Sequence, residues 1–105
     1  MTKAQEKAVE RLRALVDKDC KSLSEEVKTF DVKDYDHFVS VYIVLGYEGD
    51  EKTMAFLARD HAHLFIGKRG GITFPVNSKK GNQYCLPFKG YSILQAVCKQ
   101  RRMFY

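Results

Sequence analysis

Asp60-His61-Ala62-His63 is the stretch of this chain whose residue types and spacing come nearest to chemistry. Residues two apart on an extended strand share a face, so His61 and His63 would stand side by side there. With a third donor such as His37 they would make a set able to hold a metal or move protons. Two histidines are one ligand short, however, and the chain has no CxxC pair, no HExxH, no Walker loop and no nucleophile elbow. The reading is of hydrogen-bonded histidines, no cofactor and no enzyme. A metal-dependent enzyme using Asp60, His61 and His63 ranks third among the functions considered.

Ile66-Gly67-Lys68-Arg69-Gly70-Gly71-Ile72 offers a different chemistry. Its glycines suit a tight turn and allow backbone amides to approach a phosphate, while Lys68 and Arg69 add charge. The stretch is similar to the Ile-Gly-x-x-Gly signature of KH domains, in which the loop joins two helices. Here Leu64-Phe65-Ile66 and Ile72-Thr73-Phe74-Pro75 flank it and read as strands. The expectation is a basic hairpin tip.

Charge is distributed unevenly around that tip. Residues 1 to 58 hold nine Lys/Arg against twelve Asp/Glu, whereas residues 59 to 105 hold nine Lys/Arg against Asp60 alone, for a net charge of +5. A basic half of this kind favours a polyanionic partner. Lys68, Arg69, Lys79, Lys80, Lys89, Arg101 and Arg102 are its candidate contacts.

The elements that must position these residues follow from periodicity. Thr2 and Gln5 have capping-box spacing, and Ala8, Val9, Leu12, Leu15 and Val16 recur at helical intervals, predicting a helix from about Lys3 to about Cys20. Lys28 to Val32 alternates and reads as a half-buried strand. Phe38 to Leu45 has Val39, Val41, Ile43 and Leu45 on one side, and Phe38, Ser40, Tyr42 and Val44 on the other, which makes it a central strand. Thr53–Arg59, Ala62–Lys68 and Ile72–Val76 complete five strands, with Met54 to Ala58 also compatible with helix and Pro75 placing the last strand at an edge or its last residues in a bulge. Tyr84 to Phe88 is a brief extended segment. Ser92 and Gln95 repeat the capping-box spacing ahead of Ile93, Leu94, Val97 and Cys98, which predicts a second helix from about Ser92 to about Arg102.

The expected fold is thus a single α+β domain over residues 1–105: N-terminal helix, five-stranded antiparallel meander, C-terminal helix, both helices on one sheet face. Phe38 and Tyr42 would lie on the other face with Phe65, free to stack bases or to be buried in a homodimer. Cys20, Cys85 and Cys98 lack disulfide or zinc spacing and read as reduced, structural thiols. Phe38–Gly46 is less than half the length of a membrane helix, which needs about 20 residues, and no signal-peptide core follows Met1. The expectation is a cytoplasmic protein with no membrane partner.

Glu6-Lys7-Ala8-Val9-Glu10-Arg11-Leu12, Phe38-Val39-Ser40-Val41-Tyr42 and Phe65-Ile66-Gly67-Lys68-Arg69-Gly70-Gly71 together resemble small accessory proteins of phages and conjugative elements in Gram-positive gut bacteria. The resemblance implies nucleic-acid transactions or counter-defence in a bacterial host cell, including anti-CRISPR inhibitors that bind a nuclease complex. It assigns no functional residues. Many anti-CRISPR proteins are acidic nucleic-acid mimics, a mechanism from which this chain's positive charge departs.

The leading expectation is a non-enzymatic module that binds DNA, RNA or a nucleoprotein complex through the basic tip, the basic C-terminal half, and Phe38 and Tyr42. The runner-up is a mobile-element inhibitor of a host defence nuclease complex acting by protein–protein contact.

Overall fold

The computed structural model describes residues 1–23, 25–47, 60–77 and 80–89. One helix, α1 (Lys3–Leu23), precedes five strands: β1 (Glu25–Asp34), β2 (Phe38–Tyr47), β3 (Asp60–Gly67), β4 (Ile72–Asn77) and β5 (Gln83–Pro87). The strands form one antiparallel sheet in chain order, β1-β2-β3-β4-β5.

The capping box forms as its spacing predicts. The Thr2 amide donates to Gln5 Oε1 at 2.8 Å, and the Gln5 amide donates to Thr2 Oγ1 at 3.1 Å. Two amides that the helix start would leave unsatisfied are thereby paired. From there Ala8, Leu12, Val16 and Cys20 form a stripe at i, i+4 spacing, buried against Val39, Val41, Ile43 and Leu45 of β2 and Ala62, Leu64 and Ile66 of β3. β4 adds Ile72, Phe74 and Val76, and Phe88 closes the cluster.

β1 carries a bulge. Val27 pairs with Leu45 and Thr29 with Val44, so Lys28 is the extra residue, and its ammonium pairs with the Glu26 carboxylate. The extra residue resets the alternation, so that Val27, Phe30 and Val32 all oppose residues of the helix-facing side of β2. Over Phe30 lies the Arg13 guanidinium, 5.2 Å from the ring centroid.

The expected architecture is corrected in three places. Among the described residues one helix covers the sheet, not two, and the segment Ser92–Arg102 lies outside them. Phe88, the residue after β5, still follows the sheet, donating to the Ile72 carbonyl at 2.9 Å.

Second, Thr53–Arg59 lies outside the described residues, and the strand paired with β2 is Asp60–Gly67. The fifth strand is Gln83–Pro87, the segment read as briefly extended. Third, Pro75 is not on an edge, because β4 has β3 on one side and β5 on the other. The sheet tolerates this proline because β3 and β4 pair only at Ile66↔Ile72 and Phe65↔Thr73, before Pro75 is reached. A residue without an N–H is confined to places where the ladder does not require one.

No helix among the described residues is long and apolar enough to cross a membrane.

Candidate functional site

Because β2 and β3 alternate, the residues out of phase with the core stand together on the face away from α1. Register sets them side by side: Ser40 opposite Phe65, Tyr42 opposite His63, Val44 opposite His61. With Tyr35 from the turn before β2, six rings result, linked one to the next. Tyr35 stacks on Phe38 at 5.0 Å, Phe38 meets Phe65 edge to face at 5.3 Å, and Phe65 lies 4.7 Å from His63. His63 meets Tyr42 edge to face at 5.9 Å, and Tyr42 is 6.0 Å from His61. Tyr42 is 38% exposed, which places it on the solvent side as its alternation with Val41 and Ile43 requires. Phe38 and Tyr35 are exposed as well.

Hydroxyls hold both imidazoles. Ser40 Oγ and His63 Nε2 share a hydrogen bond of 2.7 Å, and Tyr42 Oη and His61 Nδ1 share another of 2.7 Å. His63 is half-buried, and loss of solvent pushes its pKa below the ordinary imidazole value. Asp60 stands opposite Leu45 in the register, and His37 lies in the turn between β1 and β2. No three His, Cys, Asp or Glu gather into a metal-holding group among the described residues. Each of the two β3 imidazoles is paired instead with a hydroxyl of β2.

The basic tip is built as a hairpin turn pinned by the helix start. The Gly67 amide donates to the Gly71 carbonyl and the Gly70 amide to the Gly67 carbonyl, at 2.9 and 2.8 Å. Two of the loop's amides are thus used inside the turn. Thr2 Oγ1 donates to the Lys68 carbonyl at 2.8 Å, and Gln5 Nε2 reaches the Ile66 carbonyl at 3.4 Å. Lys68 and Arg69 are exposed.

The sequence places no acid after Asp60, yet Lys68 shares a cleft of about 260 Å³ with Asp34, the last residue of β1, and Asp36 of the turn that follows it. Acids more than thirty residues away in sequence thus stand in the same cleft as one of the two tip cations. Asp34 also binds the Met1 amine at 2.8 Å and raises its pKa.

The basic candidates do not form one patch. Lys68, Arg69 and Lys89 lie at the end of the sheet where β3 turns into β4 and β5 terminates, and Lys80 lies in the turn at the opposite end. Lys79, Arg101 and Arg102 lie outside the described residues. Of the cysteines, Cys20 is buried in the core; Cys85 is exposed and opposite Pro75 on the ring-bearing face, against the structural role expected for it. Cys98 lies outside the described residues.

Sequence reasoning did not single out Ser40, Tyr35, Asp31 or Lys33. Ser40 was findable from its alternation with Phe38 and Tyr42. Asp31 and Lys33 reach the same face through pairing with Tyr42 and Ser40, and that register depends on the bulge at Lys28.

Comparison with protein-family models, with curated proteins and with solved structures gave no match.

Proposed function

We propose that this protein is a non-enzymatic module that binds single-stranded nucleic acid across the ring-bearing face of the sheet, within the cytoplasm of a bacterial host. The observation that carries the reading is the row of six rings, each within 6.0 Å of the next, spread over β2, β3 and the turn that leads into β2, and open to solvent at Tyr35, Phe38 and Tyr42. Every base has a π-face, so such a platform accepts single strands whose bases are unstacked, and duplex bases are not available to it. Lys68, Arg69 and Lys89 at the Phe38 end supply charge for the backbone.

Fluorescence anisotropy with labelled oligo(dT), oligo(U) and a duplex of matched length tests the reading. Stacking contributes about 1–3 kcal/mol per base, so Tyr42→Ala and Phe38→Ala should each weaken binding by about 5- to 150-fold while circular dichroism stays native. Wild type with no affinity for either single strand at low salt would overturn the proposal. Self-association lost in Tyr42→Ala would instead assign the face to a homodimer.

A further inference from the structure

The charge of the ring-bearing face is set by its two imidazoles. The residues that share the face with them come from every strand of the sheet: Asp31 and Lys33 of β1, Ser40 and Tyr42 of β2, Phe65 of β3 itself, Thr73 and Pro75 of β4, and Cys85 of β5. Asp31 and Lys33 offset one another, and Lys28 is paired with Glu26. With neutral histidines the described face therefore has no net charge. Its affinity for a strand then rests on the rings and on the basic residues at the sheet end.

We infer that His61, together with His63, is the phosphate-contact site of this face, engaged in the protonated form, so that binding of a single strand takes up protons and tightens as pH falls. The inference rests on the nucleic-acid reading above. His61 is exposed, and its ring is fixed through Nδ1 by the Tyr42 hydroxyl, which leaves Nε2 as the atom presented to a ligand. Tyr42 is also the exposed ring beside His61, with ring centroids 6.0 Å apart, so a base stacked on it brings its phosphate near His61. A phosphate beside an imidazole stabilises the imidazolium, and by linkage whatever raises that pKa in the complex gives tighter binding on the acid side. His63 is more buried, and loss of solvent lowers its pKa, so its proton is taken up at lower pH than by an imidazole in water.

The test is anisotropy with labelled oligo(dT), whose bases do not protonate in this range, from pH 5.5 to 8.0 at fixed ionic strength. The expected result is affinity rising toward acid by up to about tenfold per pH unit for each imidazole engaged. His61→Gln, which keeps a hydrogen-bonding side chain but cannot carry the charge, should lose about one proton's worth of slope and converge on wild type at pH 8.0. His63→Asn should alter the slope only at the acid end. Binding that is independent of pH, or a His61→Gln variant with the wild-type slope, would overturn the inference while leaving the nucleic-acid reading intact. No binding at pH 5.5 and low salt would sink both.

Discussion

Gly70→Ala isolates the close approach that fixes the basic tip against the helix. Gly70 has φ of +90°, and a Cβ there would meet the Ala4 carbonyl oxygen at 3.1 Å and the Ala4 Cβ at 3.2 Å. Two penalties therefore act together. A left-handed backbone costs a non-glycine residue about 1–2 kcal/mol, and forcing atoms into a filled space costs about 1–3 kcal/mol more. Gly81 supplies the control, because its φ is +83° but nothing lies within 4 Å of its would-be Cβ. Alanine also restricts the unfolded chain, by about 0.4–1 kcal/mol in favour of folding, and that effect cancels between the two sites.

Urea denaturation should thus show Gly70→Ala less stable than Gly81→Ala by about 1–3 kcal/mol, at equal m-values. Adding Ala4→Gly to Gly70→Ala should recover part of that difference, since it removes the clash with the Ala4 Cβ and leaves the one with the carbonyl. The helix penalty of the new glycine, about 1 kcal/mol, is read from Ala4→Gly alone. Equal losses at Gly70 and Gly81 would refute the close approach of helix and turn, and with it the fixed position of Lys68 and Arg69.

Leu12 has no exposed surface, so Leu12→Ala should lose about 2–5 kcal/mol, whereas exposed Arg11→Ala should stay within about 0.5 kcal/mol; chemical denaturation compares them. His63 has its pKa lowered in the folded state, so below the unfolded imidazole value the unfolded chain binds more protons. Stability should therefore be undiminished above about pH 6.5, fall with acidification below it, and fall less in His63→Asn when denaturation is followed against pH. Lys68→Glu with Arg69→Glu should weaken strand binding and lower the slope of log affinity against log salt by about 0.7 for each phosphate the tip no longer neutralises. Asp36→Asn should act oppositely and tighten binding, because Asp36 shares the cleft with Lys68; an unchanged affinity would show that this acid does not oppose the tip.

What the sequence made legible was what each residue does with its near neighbours. The Thr2/Gln5 box, the Leu12 stripe and the alternation of β2 all depend on interactions within a few residues or on a period, and each is found where the pattern puts it. What it hid depends on residues far apart. The partner of β2 is β3, across a long connection, and the cleft that Lys68 shares with Asp34 and Asp36 joins one hairpin to another. Pro75 misled for the same reason. Proline forbids one ladder bond, and a strand may meet that condition at an edge or, as here, beyond the last paired residue of an interior neighbour. The expected C-terminal helix rested on local spacing alone.

The candidate site is a consequence of the core rather than an addition to it. Every ring pairing between β2 and β3 follows from one register, and that register is specified on the opposite face. There Val39 meets Ile66, Val41 meets Leu64, and Ile43 meets the small Ala62 beneath the Leu12 and Val16 stripe of α1. A slip of one residue would turn the whole apolar row to solvent and the histidines into the core. A slip of two would preserve the faces but exchange the partners of Ala62, setting large side chains together at one level and leaving a void at another, and cores at crystal-like density resist both. The size difference at Ile43↔Ala62 thus selects the pairing in which Tyr42 stands between two imidazoles. Packing on the helix side decides which rings meet on the open side, and so what that face can bind.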